Sequence, residues 1–275
     1  MMMDERIQLP QSSETPIQLR SGPNLQYRYG YARSSECREA DEPGQDYLTF
    51  VESEESLSFV LCDGVSQSYY GDFAAKFVGD RLLEWLLDGE AYATETPSEW
   101  QRRLNRYMCE VAADAEERLK VREVSPDMHE WLRDVLAEKK KRGSATMYCG
   151  GRIDFPGTQF PDGRLLLAWQ GDIRCRIWRE REELTQDLLG NKFRTDQQWN
   201  SVVGPIGGMP HLIYSSLLQG GTKGELLLYS DGFQALDRYP SVSDMPIQEL
   251  FSNEAGHPSS DDISFLQAIW DYTPR

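Results

Sequence analysis

The chain has 275 residues, with 29 Lys and Arg against 45 Asp and Glu, a formal net charge of −16. This length buries a sizeable core without disulfide or zinc staples, and the abundant Trp, Tyr and Phe supply its material. The acid excess argues against a nucleic-acid binder, which needs a basic face for phosphates, and against docking to an anionic membrane.

Residues 1–24 are polar, carry Pro10, Pro16 and Pro23, and read as an irregular lead-in to a single domain over residues 25–275. The first ten residues contain Asp4, Glu5 and Arg6 and no apolar run, so no secretory signal is expected there. Residues 27–32 alternate aromatic with small or charged side chains and predict a first strand. Residues 37–44 read as a charged loop. Residues 46–52 have strand character, and 57–62 form a compact apolar run that stops at Asp63-Gly64. Three helices follow. The first covers 72–87. The second covers 99–121 and opens at Pro97 and Ser98. The third opens at Pro126, includes Met128, and ends in a run of four cations before Gly143. That basic run reads as a helix terminus rather than a nucleic-acid patch.

Strands then resume over 145–153 and 164–170, the latter broken by Gly171-Asp172. Residues 174–178 are expected to pair with it as a hairpin. Residues 184–207 read as a polar loop with short helical pieces. Residues 225–230 predict another strand, halted at Asp231-Gly232. Short helices are expected over 233–236 and 246–251, and a closing strand over 263–270. Residues 197–222 lack Asp, Glu, Lys and Arg, but Pro205, Pro210 and five Gly rule out a membrane helix. Without regular βα alternation, the order predicts an α+β layered domain with mostly antiparallel sheets. Five cysteines without a Cys-x-x-Cys pair indicate reduced core thiols and a cytoplasmic protein.

Four apolar runs carry an aspartate at one end: Asp46 before a strand, Asp63 after one, Asp231 after another, and Asp261-Asp262 before the last. Strand ends are rigid, and several from one sheet can aim carboxylates at one point. Hard divalent cations take oxygen ligands, and paired cations are a common apparatus of hydrolysis. Asp-Gly is also an ordinary turn dipeptide, and Asp also caps helices, so the pattern alone leaves both readings open. No Walker loop, Gly-x-Ser-x-Gly elbow or His-Glu-x-x-His is present.

The ordered motifs Gln45-Asp46, Cys62-Asp63-Gly64-Val65, Gly143-Ser144-Ala145-Thr146, Gln170-Gly171-Asp172-Ile173-Arg174, Ser230-Asp231-Gly232-Phe233 and Asp261-Asp262-Ile263-Ser264 resemble the PPM family. These are the metal-dependent serine/threonine protein phosphatases, also called type 2C phosphatases. The match spans about residues 27–270, and the compact length is similar to bacterial members. The resemblance implies a β-sandwich of two mostly antiparallel sheets flanked by α-helical layers. It implies two Mg²⁺ or Mn²⁺ ions, with a weaker third. By resemblance Asp63 bridges the two metals, the Gly64 carbonyl serves the second, and Asp231 and Asp261 complete the first. Asp46 holds metal-bound water and Asp172 helps hold the third ion. Residues 143–146 are structural, and 184–207 occupy the place of a flap near the substrate groove. The implied activity is hydrolysis of phosphoserine and phosphothreonine in proteins by a metal-activated water. The implied partners are a phosphoprotein substrate, a serine/threonine kinase or its target, with no nucleic acid and no membrane.

Three departures stand out. Asp41 occupies the place where the family often has a phosphate-clamping arginine, leaving Arg33 and Arg38 as substitutes. Ser66-Gln67 replaces a usual glycine pair, with Gly71 arriving later. Asp262 replaces a usual Asn. These changes keep a second reading in view, a weak or inactive pseudophosphatase acting as a regulatory interaction module. A third is a phosphatase of small phosphoesters.

Overall fold

The computed structural model describes residues 5–88, 96–121, 129–240 and 245–273. Pro126 and Met128, expected in the third helix, lie outside the described residues. Two antiparallel sheets face one another. The first contains β1 (Glu5–Gln8), β4 (Tyr47–Glu52), β5 (Ser56–Gly64), β6 (Ala145–Asp154), β10 (Gln198–Asn200) and β11 (Gly204–Ile206) in that order, with β7 (Arg164–Gln170) on β6 and β12 (His211–Ser216) on β7. The second runs β2 (Thr15–Ser21), β3 (Leu25–Ala32), β14 (Ile263–Asp271), β13 (Lys223–Tyr229), β8 (Arg174–Arg179) and β9 (Glu182–Glu183).

Helices α2 (Gly71–Leu87) and α3 (Pro97–Lys120) cover the first sheet, and α4 (Glu130–Arg142) follows them in the chain. A 3-10 segment (Asp231–Arg238) and α6 (Ile247–Ala255) lie against the second. The α+β sandwich with flanking helices is therefore present, and three apolar layers hold it together. Between the sheets pack Tyr27, Tyr29, Phe50, Phe59, Trp169 and Leu228. Val60, Cys62 and Tyr148 meet Phe77, Leu82, Trp85 and Trp100 under the helices. Phe233, Phe251 and Phe265 form a ring cluster on the other side, with centroids 5.6–5.9 Å apart. The central strands read as continuous apolar runs because both of their faces are covered.

Several local expectations change. Residues 1–24 are not simply irregular. β1 pairs with β4 and β2 with β3, so polar residues with exposed side chains still complete sheet edges through backbone hydrogen bonds. The charged loop 37–44 contains a short helix, α1 (Ser35–Ala40), capped by Ser34 Oγ accepting from Cys37 N at 3.1 Å. Residues 174–178 do not form a hairpin with 164–170. Gly171 takes φ +112°, and the chain leaves the first sheet at β7 and enters the second at β8, which pairs with β13. Strand β12 lies in the stretch that lacks charges and was not expected. Residues 184–207 hold α5 (Thr185–Leu189), β10 and β11. Of the cysteines, Cys62, Cys149 and Cys175 are buried, Cys37 is half-buried and Cys109 is exposed. The run Lys139 to Arg142 forms the last turn of α4 before Gly143, as expected. Among the described residues no helix is long and apolar enough to cross a membrane.

Candidate active site

Antiparallel pairing brings five chain positions to one end of the sandwich. Tyr47 faces Cys62 in the first sheet, which sets Asp46 beside Asp63. Tyr229 faces Phe265 in the second, which sets Asp231 beside Asp261 and Asp262. The crossover from β7 to β8 adds Asp172. Asp46, Asp63, Gly64, Asp172, Asp231, Asp261 and Asp262 all line one cavity of about 620 Å³.

Hydrogen bonds fix these groups from behind. Thr146 Oγ1 donates to Asp63 O at 2.6 Å. Ser264 Oγ donates to Asp46 Oδ2 at 2.6 Å. Asp262 Oδ1 accepts from Ser34 N at 2.6 Å, and its other oxygen accepts from Gln45 N. The aspartate found where a family Asn is usual is thus spent on two backbone donors, joining the start of α1 to the start of β4. The two Asp-Gly pairs are not left-handed turns, since neither glycine has a positive φ. They are sites of close approach. A Cβ on Gly64 would stand 2.4 Å from Gly71 O, and one on Gly232 would stand 2.0 Å from Asp262 O. Gly71 therefore closes the turn around Ser66-Gln67 against Gly64.

The electrostatics are lopsided. Burial, then the charges of Asp231, Asp261, Asp172 and Asp262, push the Asp63 carboxyl well above its usual range. Burial, then Asp63 and Asp262, do the same for Asp46 against the hydrogen bonds of Ser230 and Ser264. Asp231 is raised by burial and by Asp261 and Asp172, with Arg174 opposing. Asp262 is raised by burial, opposed by the N–H groups of Gln45 and Ser34. No Lys, Arg or His lies among the described lining residues. Gln45 Oε1, on a residue of the wall, is buried without a hydrogen-bond partner.

Arg33 and Arg38 are not among the lining residues. Arg33 donates to Glu14 Oε1 at 2.9 Å and to Glu42 O at 3.1 Å, and stands 3.9 Å from Asp41. Arg38 reaches Ser260 Oγ at 3.4 Å. Asp41 caps α1 in the left-handed region with its side chain fully exposed. In the expected flap region, Arg194 N donates to Gly171 O, beside Asp172. Sequence reading passed over Gln45 as a site residue, and the supporting roles of Ser264 and Ser230. Their only signal was adjacency to the aspartate motifs.

Solved structures share this architecture. A bacterial serine phosphatase aligns with a TM-score of 0.51 at 15% identity, covering 90% of this chain and 99% of that one. The serine/threonine phosphatase Stp1 from Staphylococcus aureus aligns with a TM-score of 0.51 at 15% identity, over 97% of this chain and 95% of its own. The chain has the type 2C phosphatase fold. No family model matches the sequence, and no curated protein matches it. In this chain the cavity lies where aspartates from the ends of both sheets meet.

The donor set suits a hard cation. It is made of carboxylate and amide oxygens, its carboxylates repel one another under burial, and one buried acceptor stands without a donor. Among the described residues, no three His, Cys, Asp or Glu side chains stand close enough together to form a ligand set. The carboxylates surround the cavity without converging.

Proposed function

We propose that this chain hydrolyses phosphoserine and phosphothreonine in proteins, using divalent cations held by Asp63, Asp231 and Asp261, with Gly64, Asp46 and Asp172 assisting. The observation that carries the reading is the delivery of six aspartates from both sheets to one cavity of the type 2C fold. Mg²⁺ or Mn²⁺ in such a site supplies an acidified water and neutralises charge on phosphoryl oxygens.

The chain's own groups favour water over a protein nucleophile. The half-buried Cys37 thiol is raised by burial and by Asp262, Glu42 and Glu36, against the Ser34 hydrogen bond, so it is a poor thiolate. No histidine lies among the described lining residues to activate a serine. In the reaction, a bond from the water oxygen to phosphorus forms and the bond to the serine or threonine oxygen breaks. The proton given up by water is taken up, in net, by the leaving alcohol. Asp262 positions the start of β4, and so Asp46, by holding Gln45 N. Ser264 orients the Asp46 carboxylate.

The regulatory-module reading has one observation in its favour, the absence of an arginine from the described cavity wall. Assays of para-nitrophenyl phosphate and a phosphothreonine peptide with and without Mn²⁺ separate the readings. Mn²⁺-dependent turnover of the peptide, lost in both Asp63→Ala and Asp231→Ala, is the expected result. Turnover of the small ester alone points to a small phosphoester substrate. Inactivity of the parent chain on both substrates points to the regulatory module. Activity retained in either variant overturns the assignment.

A further inference from the structure

Two carboxylates on the cavity wall take no part in the aspartate cluster. Ser34 caps α1 and its N–H is held by Asp262 at 2.6 Å, and Ser35 N donates to Ser260 O at 3.2 Å. These anchors set Glu36 and Cys37 on the wall. Glu42 N then donates to Cys37 O at 2.9 Å, which folds the chain back and brings Glu42 to the same wall. Both glutamates are exposed, and neither has an ion-pair partner among the described residues. The nearby arginines are engaged elsewhere. Arg33 is held by Glu14 and by the Glu42 backbone, not its carboxylate, and Arg38 turns to Ser260.

The cavity is much larger than a phosphoryl group requires. Its 620 Å³ falls within the roughly 300–1,000 Å³ of clefts that enclose whole ligands. A cavity of this size leaves room beside a phosphoryl group for residues flanking a phosphorylated side chain to reach the α1 wall. Ser35, Ser66, Ser259 and Ser260 also line the cavity, with Arg38 beside Ser260, and the exposed Asp261 adds a further carboxylate. Two exposed glutamates without an ion-pair partner among the described residues reward cations and repel anions in whatever lies beside the phosphate.

We infer that Glu36 and Glu42 are specificity determinants that select phosphopeptides carrying Arg or Lys next to the phosphoresidue. The inference rests on the phosphatase reading above and deepens it by naming the substrate class. It also accounts for the missing clamp. Part of the hold on the substrate passes from its phosphate to its flanking cations.

The test compares two phosphothreonine peptides of equal length, one flanked by Arg and one by Glu, with para-nitrophenyl phosphate as an unflanked reference. The full chain with Mn²⁺ is used at low salt and at about 0.5 M salt, where the Debye length falls to a few ångströms. The Arg-flanked peptide is expected to show at least about a fivefold higher kcat/KM at low salt, as two surface ion pairs warrant, and a smaller advantage at high salt. The double variant Glu36→Lys, Glu42→Lys is expected to reverse the preference, an outcome that misfolding does not produce. Hydrolysis of para-nitrophenyl phosphate with equal kcat/KM for the two peptides overturns this inference and leaves the phosphatase reading standing, as does a ratio unmoved by the charge swap. Failure of all three substrates overturns the phosphatase reading, and this inference with it.

Discussion

Glu225 shows how one residue can tie stability to pH far from the carboxylate cluster. It sits in β13 and accepts a hydrogen bond from Gln267 Nε2, while Gln267 Oε1 accepts from Arg28 Nε, so three neighbouring strands share one polar chain. Burial pushes the Glu225 carboxyl up from 4.5 to about 7, although Gln267, Arg28 and Arg176 pull it down. A folded-state value above the unfolded one means that stability is full below about 4.5 and is lost as pH rises through about 7. Glu225→Gln keeps the acceptor and removes the charge. It is expected to match the parent at pH 4 and to exceed it by about 3 kcal/mol at pH 8, measured by urea unfolding at both values. The opposite trend would show that Arg28 and Arg176 outweigh burial at this position.

At the level of elements, α3 carries its start signal in its own sequence. Thr96 N donates to Glu99 Oε2 at 2.8 Å and Glu99 N to Thr96 Oγ1 at 3.4 Å, with Pro97 at the first helical position. The helix then buries Trp100, Leu104, Met108 and Val111. Thr96→Ala is expected to cost about 1 kcal/mol in urea unfolding without moving the midpoint of cation binding, because the cap lies outside the cavity. Helices and central strands were legible because their apolar spacing is a local property. Residues 57–62 and 164–170 could be read directly, and so could the cationic end of α4. Edges were not. Thr15–Ser21 mixes half-exposed and exposed residues around Pro16, and its strand state comes from β3, a partner invisible in its own composition. The false hairpin at Gly171-Asp172 has the same origin. A glycine turn between two apolar runs looks alike whether the chain returns to its own sheet or crosses to the other. The pairing of β8 with β13, Leu228 against Cys175 among others, distinguishes the two.

The aspartates of the site were legible in order and spacing because they punctuate apolar strands. The destinations of Arg33 and Arg38 were not, because they depend on Glu14 and Ser260, distant in the chain. Across the whole molecule, the expected signature of the site is thermodynamic. Mutual repulsion among buried carboxylates is an internal cost that a bound cation removes, and a ligand held only by the folded state raises stability with its concentration. Mn²⁺ at a hundredfold excess over its Kd is expected to stabilise the parent by about 2.7 kcal/mol, with a chelator returning it to baseline and Asp63→Ala responding little. Differential scanning calorimetry reads all three, and an Asp63→Ala chain that gains as much as the parent would place the cations elsewhere. The crossover after β7 gives this a mechanical side. Asp46 and Asp63 ride on one sheet, Asp231 and Asp261 on the other, and Asp172 on the strap between them. The cavity is thus a gap between two plates rather than a hole in one. Any sliding of plate over plate alters the spacing of the carboxylates, and whatever fastens them acts as a rivet against shear.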